Sequence, residues 1–129
     1  MNVLFVCKHN RFRSKVSEAL FRKLNKNRKN KAQSAGTHPD YLPVSKTVKR
    51  ALRTFGIKKV DSQPHDLTKK LIKWADIIVV SADNTNVRAP GKQVLKWSIT
   101  DTTQGNYKGV LARSADIKKR IKRLLSTLD

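Results

Sequence analysis

The sequence predicts an α/β protein built on a parallel sheet. Short apolar runs rich in β-branched residues alternate with segments whose apolar residues recur at helical spacing. Their order is strand, helix, strand, helix, helix, strand, strand, helix, which is typical of parallel strands joined by right-handed crossovers. The 129 residues contain no internal repeat, low-complexity segment or interdomain linker. We therefore expect one domain over residues 1–129.

The first strand and helix are predicted at the amino terminus. Asn2–Cys7 is a short apolar run that indicates a buried strand. Ser14 is a residue type that caps helices, and apolar residues at helical spacing follow it. A helix is therefore expected from Ser14 to about Lys26.

A basic turn and a second strand come next. Lys26–Lys31 (KNRKNK) is polar and cationic, as expected of a solvated loop. Ala32–Gly36 predicts a short strand, and the loop that follows is broken by Pro39 and Pro43.

Two helices and a strand are predicted in the middle of the chain. Leu67–Trp74 predicts a short helix, and Asp76–Val80 (DIIVV) predicts a strand buried on both faces. A helix that ends at Gly56 is indicated before them. Its apolar positions are Val44, Val48, Ala51, Leu52 and Phe55.

The last elements are a strand and a terminal helix. Gln93–Trp97 follows the Pro90–Gly91 turn and predicts the fourth strand. The terminal helix is amphipathic, with cations away from its apolar stripe. That stripe consists of Ile117, Ile121, Leu124, Leu125 and Leu128.

The composition indicates an anionic partner. The chain has 29 Lys and Arg against 9 Asp and Glu, a formal net charge of +20. Such a charge attracts nucleic acid, phosphorylated substrates or acidic surfaces, but does not specify a fold. One cysteine cannot form an intramolecular disulfide, which fits a reducing compartment. The apolar runs are far shorter than the roughly 20 residues of a membrane span, and no signal peptide is evident. We expect a cytoplasmic protein without a membrane partner.

The cysteine lies in a pattern suited to phosphate chemistry. Residues 7–14 (CKHNRFRS) form a Cys-x5-Arg-Ser loop between the first predicted strand and helix. Backbone N–H groups of such a loop and the helix dipole favour an anion there, and Arg13 offers a bidentate fork. The same donors favour the Cys7 thiolate, which would lie in line with a bound phosphorus atom. Ser14 is placed to hydrogen-bond that sulfur and stabilise it as a leaving group.

A plainer interpretation of Cys7 remains. A lone cysteine that ends a core strand is commonly buried and inert, and Cys-x5-Arg is a loose pattern in an arginine-rich chain. The strand before it and the helix after it favour the nucleophile, because ligands bind beyond the carboxyl ends of strands in open α/β sheets.

The segment VLFVCKHNRFRS resembles the entrance of the low-molecular-weight protein tyrosine phosphatases and their arsenate reductase relatives. The resemblance continues at SAGT, GIKKVDSQPHDLT, ADIIVVSADNTN and WSITDT, in the same order and over essentially the whole chain. It implies a flavodoxin-like, doubly wound sheet of four parallel strands in the order 2-1-3-4. It also implies a phosphatase that hydrolyses phosphomonoesters of the phosphotyrosine type through a phosphocysteine, without metal or cofactor. Inorganic phosphate would be both product and competitive ligand.

The resemblance assigns roles to residues of the loop. Cys7 would be the nucleophile, Arg13 the transition-state clamp, and Ser14 the group that assists the thiolate. Asn10 would hold an unusual backbone conformation, oriented by a hydrogen bond from Ser34. The phosphate-binding loop would consist of Lys8, His9, Asn10, Arg11, Phe12 and Arg13.

Two carboxylates follow the later strands. Asp101 matches the general acid of the family, a role that needs a carboxylic acid on a loop at the same sheet edge. Without the resemblance, Asp101 is equally well a turn residue. Asp83 matches a family position that we interpret as a structural cap.

The chain departs from the family around the substrate pocket. Thr102 and Thr103 follow the acid where relatives have proline and aromatic residues, so strict phosphotyrosine preference is not expected. Tyr41 would supply one wall of the pocket, or is a simple surface residue.

The loop itself also differs from the family. His9 stands where glycine is common, and we favour a side chain that faces solvent over one that titrates near neutral pH. Phe12 replaces a second cysteine, so oxidised Cys7 has no resolving partner in the chain. Arg11 adds a cation at the rim, which favours acidic substrates over cationic ones such as phosphoarginine.

Two other functions remain open. A single-cysteine arsenate reductase would use an external thiol, because the chain lacks the additional cysteines of the thioredoxin-coupled type. A basic nucleic-acid-binding protein with a vestigial site is the other, supported by the cationic segments Arg22–Lys31 and Lys118–Arg123. The chain has no zinc-ligand spacing, RNA-recognition signature or interleaved aromatic residues, so at most nonspecific nucleic-acid binding is expected.

Overall fold

A computed structural model of the chain describes residues 1–82 and 85–128. The elements are β1 (Asn2–Cys7), α1 (Arg13–Leu24), β2 (Lys31–Gly36), α2 (Lys46–Thr54), α3 (Lys69–Trp74), β3 (Ile77–Val80), β4 (Gln93–Lys96) and α4 (Tyr107–Leu128). The four described strands are all parallel and form one sheet in the order β2-β1-β3-β4, which confirms the predicted flavodoxin-like fold.

The central strand β1 is buried on both faces. Val3 and Phe5 pack into a large apolar cluster with residues of α1, α2 and α4, and the Phe5 ring lies 5.8 Å from that of Phe21. Leu4 and Val6 point the other way, into a smaller cluster with α3 and β3. Successive side chains of a strand point to opposite faces, so an uninterrupted apolar run is the pattern expected of a sheet covered by helices on both sides.

The start of α1 differs from the prediction. The helix begins at Arg13 with Phe12 at the N-cap, which makes no side-chain capping bond, and it ends at Leu24. Ser14 is therefore not the cap, and this expectation was wrong. Its hydroxyl lies within the first turn and contacts the Cys7 sulfur instead of the helix backbone.

The other elements lie where they were predicted, with changed bounds. The largest difference is α4, which begins at Tyr107 rather than near Ile117, because its first turns bury Val110 and Ser114 before the regular aliphatic stripe begins. The helix α2 starts after Ser45, whose hydroxyl accepts the Val48 N–H, and α3 is capped in the same way by Thr68. The ends of the other strands shift by one residue.

The 22-residue helix α4 has cations interspersed along its length. Within residues 1–82 and 85–128, no helix is both long and apolar enough to cross a membrane.

Candidate active site

The sulfur of Cys7 lies between the end of β1 and the first turn of α1. The residue is 3% exposed. Its Sγ lies 2.9 Å from the Ser14 hydroxyl and accepts the Asn10 backbone N–H at 3.3 Å. Both groups can donate a hydrogen bond to a thiolate. The geometry brings the predicted nucleophile and its predicted assisting hydroxyl into direct contact.

Asn10 holds the loop in its conformation. Its backbone has φ +55°, a left-handed conformation that asparagine tolerates better than most residues. Its side-chain Nδ2 donates to the hydroxyls of Ser14 and Ser34, and its Oδ1 accepts the backbone N–H of His65. The predicted link between Asn10 and Ser34 is present, but asparagine is the donor and serine the acceptor.

Gly36 lets β2 approach this loop closely. The residue is paired in register with Cys7, at the end of both strands. A Cβ atom at this position would lie 2.8 Å from the carbonyl oxygen of Lys8 and 3.0 Å from the backbone nitrogen of Asn10. Because real Cβ atoms essentially never lie within 2.8 Å of a backbone oxygen, the glycine of the SAGT segment is required by the packing of the loop.

Arg13 connects the loop to the segment that carries Asp101. Its side chain is buried, and Nη1 donates to the Ile99 carbonyl oxygen at 2.9 Å. Its Nη2 lies 3.8 Å from Asp101 Oδ2, while Asp101 Oδ1 accepts the Thr102 N–H. The Asp101 side chain is 60% exposed. The structure thus places the predicted clamp and the predicted acid together beside Cys7.

A cavity of about 20 Å³ lies over the sulfur. This volume holds little more than one water molecule, so a phenyl ring would have to lie outside it or displace its walls. Sequence reasoning missed Gln104, an ordinary loop residue with no distinguishing pattern. Among the described residues, its buried Oε1 has no hydrogen-bond partner. The walls are formed by Cys7, His9, Arg11, Phe12, Arg13, Asp101 and Gln104.

The remaining loop residues shape the rim. Lys8 is exposed, and Phe12 belongs to the apolar core. The His9 ring is partly exposed, and its Nδ1 lies 2.8 Å from the His38 carbonyl oxygen. Arg11 donates to the Pro43 carbonyl oxygen and lies 3.8 Å from Asp40, so the extra cation at the rim has an anion beside it.

Tyr41 does not line the cavity over Cys7. It is 64% exposed, and its hydroxyl donates to Asp66 Oδ1 at 2.9 Å. That hydrogen bond and the negative charge of Asp66 raise the pKa of the Tyr41 hydroxyl. This arrangement favours the surface interpretation of Tyr41. The predicted cap Asp83 lies outside the described residues.

The family model described as low molecular weight phosphotyrosine protein phosphatase matches residues 2–129. Among solved structures, an arsenate reductase from Archaeoglobus fulgidus is 32% identical, with 96% of this chain and 98% of that chain covered and a TM-score of 0.82. The YwlE arginine phosphatase from Geobacillus stearothermophilus is 22% identical, with 98% of this chain and 92% of that chain covered and a TM-score of 0.86.

A low-molecular-weight protein tyrosine phosphatase from T. tengcongensis is 21% identical, with 98% of this chain and 99% of that chain covered and a TM-score of 0.82. No curated protein matches the chain. The similar structures therefore include both phosphatases and arsenate reductases on one fold.

Proposed function

The chain belongs to the low molecular weight phosphotyrosine protein phosphatase family, and on this basis we propose that it is a cysteine-dependent phosphatase that hydrolyses phosphomonoesters through a phosphocysteine. The observation that carries the proposal is the environment of Cys7. Its sulfur meets the Ser14 hydroxyl and the Asn10 N–H at the start of a helix, with Arg13 and Asp101 at the same cavity. A thiolate nucleophile, an oxyanion clamp and a proton donor are the three groups that this reaction needs.

In the first step, the Cys7 thiolate attacks phosphorus and the bond to the leaving oxygen breaks. The N-terminus of α1 and the loop N–H groups stabilise the equatorial oxygens. Arg13 contributes its guanidinium fork, exchanging the Ile99 carbonyl for the phosphoryl group. Asp101 gives its proton to the leaving oxygen, so that an alcohol or phenol departs rather than an anion.

In the second step, water attacks the phosphocysteine. Asp101, now a carboxylate, accepts a proton from that water, and the bond between phosphorus and sulfur breaks. Cys7 leaves as a thiolate that is stabilised by the Ser14 hydroxyl at 2.9 Å. Inorganic phosphate is released, and the enzyme returns to its starting state without a metal or an oxidant.

The substrate class follows from the rim of the cavity. Arg11 lines the cavity with Asp40 beside it, and the chain carries a net charge of +20, so acidic phosphosubstrates are favoured over cationic ones. Thr102 and Thr103, which follow Asp101, offer no aromatic wall for a phenyl ring. We therefore propose broad phosphomonoester specificity rather than strict phosphotyrosine preference.

Arsenate reduction is the second candidate function. The 32% identity with the arsenate reductase from Archaeoglobus fulgidus favours it. Cys7 would attack arsenate with loss of water. One external thiol would then attack the Cys7 sulfur and release arsenite, and a second would reduce the resulting mixed disulfide. Both thiols would have to come from outside the chain, which contains one cysteine. The comparisons offer no support for nucleic-acid binding as the primary function.

One pair of assays distinguishes the two reactions. The first measures phosphate release from phosphotyrosine, phosphoserine, phosphoarginine and small aryl phosphates. The second measures arsenite formation from arsenate with a monothiol reductant, and Cys7→Ser serves as the control in both. Phosphate release with many turnovers per enzyme supports the phosphatase. Arsenite formation without phosphatase turnover would replace it with the reductase.

We predict that iodoacetate alkylates Cys7 rapidly at neutral pH and that inorganic phosphate protects it. The Ser14 hydroxyl and the Asn10 N–H favour the thiolate, which is the reactive form. Mass spectrometry reports the reaction directly, because Cys7 is the only thiol in the chain. Ser14→Ala should react more slowly. An alkylation rate that phosphate leaves unchanged would show that the anion binds elsewhere.

A further inference from the structure

Lys15 is a charged residue in an unusual position. It follows Ser14 in the first turn of α1, and its side chain has no exposed surface. Its Nζ has no hydrogen-bond partner among the described residues. Its ion-pair partner is Asp61, whose Oδ2 lies 3.5 Å away. A buried ammonium is costly unless an opposite charge compensates it, so the position of Asp61 is tied to that of α1.

Asp61 in turn organises the segment 61–65. The oxygen that faces Lys15 also accepts a hydrogen bond from the His65 ring, and Oδ1 accepts the Gln63 N–H at 3.1 Å. Burial raises the pKa of Asp61, but the hydrogen bonds from His65 and Gln63 and the charge of Lys15 lower it below its ordinary value. The carboxylate is therefore ionised at neutral pH, and its contacts with Gln63 and His65 hold the two ends of the segment together.

The segment contacts the Cys7 loop through a hydrogen bond from a backbone N–H to a side chain. The N–H of His65 donates to Asn10 Oδ1 at 2.8 Å. Asn10 is the left-handed residue that also binds Ser14, and Ser14 contacts the sulfur. A continuous series of contacts thus runs from the buried lysine to the proposed nucleophile.

Within the segment 61–65, Pro64 alone is buried, so polar contacts also contribute to the position of the segment. It borders a cavity of about 790 Å³ between α1, β2 and α3, and the side chains of Asp61 and His65 are about half exposed. Its backbone is held by bonds from Val44 N–H to Ser62 and from Gly36 N–H to His65. The Lys15–Asp61 ion pair is its charged contact with α1, the helix that carries Ser14.

We propose that Lys15 and Asp61 are a pair of positioning residues for the Cys7 loop. The buried ammonium holds the Asp61 carboxylate in place. Asp61 in turn holds residues 61–65 where the His65 N–H can donate to Asn10 Oδ1. The inference rests on the proposed function of this loop as an oxyanion site. Neither residue touches the substrate in this role.

Lys15→Met tests the pair, because it removes the anchor without leaving a buried charge. We expect the affinity for inorganic phosphate and kcat/KM to fall about tenfold, because small displacements of a reacting site are costly. We expect the melting temperature to stay the same or rise, since an apolar side chain replaces a buried ion. Lys70→Met is the matched control: it makes the same charge change at an exposed position of α3 and should leave all three quantities unchanged.

A second set of variants separates positioning from stability. Asp61→Asn leaves the Lys15 ammonium buried without a counter-ion, so both the melting temperature and the phosphate affinity should fall. Adding Lys15→Met to Asp61→Asn should restore the melting temperature but not the affinity. If Lys15→Met does not fold, Asp61→Glu takes its place and should retain the affinity that Asp61→Asn loses.

The proposal is overturned if Lys15→Met and the double variant bind phosphate as tightly as the wild type. It is equally overturned if Asp61→Glu and Asp61→Asn lose affinity alike. Phosphate binding is measured by calorimetry and Cys7 alkylation by mass spectrometry, and neither requires turnover. A wild type that binds phosphate but does not hydrolyse phosphomonoesters would therefore contradict the proposed function and leave this inference standing.

Discussion

Cys7→Ser is expected to abolish turnover of phosphomonoesters and to leave phosphate binding intact. The serine hydroxyl is not ionised at neutral pH, so the reaction loses its nucleophile. The loop N–H groups, the N-terminus of α1 and Arg13 remain, and these are the groups proposed to hold the anion. Initial rates with an aryl phosphate measure the loss, and calorimetric titration with inorganic phosphate measures the binding that remains.

A chelator tests whether the chemistry of the wild type needs a metal. The proposed steps use only side chains and backbone donors, so a chelator should leave the wild-type rate unchanged. The folding of Cys7→Ser is checked by its melting temperature, since serine is smaller than cysteine and fits the same buried position. Turnover by Cys7→Ser, or a wild-type rate that depends on an added divalent metal, would contradict the phosphocysteine mechanism.

The sequence predicts the sheet best because its signals are local. The apolar run Asn2–Cys7 is buried on both faces, and DIIVV contains the other strand that pairs with it in the middle of the sheet. Parallel strands covered on both sides need continuous apolar runs, and a short run of this kind is visible without knowledge of the fold. The placement of Cys7 at a carboxyl end, and hence of the site, follows from this pattern.

The start of α1 could not be predicted in the same way. Serine is a common cap, and propensity alone places Ser14 at the helix N-terminus. In the folded chain, the Ser14 hydroxyl contacts Cys7 and accepts a hydrogen bond from Asn10, so it is not available to the helix backbone. A tertiary contact thus takes precedence over the local preference, and it does so at the site itself.

Contacts between distant parts of the chain were also beyond sequence reasoning. Arg13 binds the carbonyl of Ile99, 86 residues away. Lys15 is buried against Asp61, although nothing in the pattern of α1 distinguishes it from a solvated lysine. The family resemblance points to Arg13 and Asp101 as residues of one site, but it carries no information about Lys15, Asp61 or Gln104.

Asp101→Asn is expected to lower kcat on phosphotyrosine by roughly 10²–10⁴-fold, the usual contribution of general acid–base catalysis. The structure places the carboxylate 3.8 Å from Arg13 and at the wall of the cavity over Cys7. From there, it can protonate an oxygen that leaves a phosphoryl group held by the loop. Asparagine preserves the size of the side chain and can still accept the Thr102 N–H, so the loss is expected in chemistry rather than in folding.

The dependence on the leaving group separates an acid from a residue that only shapes the loop. A nitrophenolate departs almost unaided, whereas an unactivated phenol or an alcohol needs a proton, so the loss in Asp101→Asn should grow as the leaving group becomes more basic. The measurement is kcat against the pKa of the leaving group, for the wild type, Asp101→Asn and Asp83→Asn. Asp83 is the other carboxylate that follows a strand. Asp83→Asn is predicted to reduce the stability of the protein more than it changes the slope of this plot. A slope that stays unchanged in Asp101→Asn and steepens in Asp83→Asn would assign the acid to Asp83 instead.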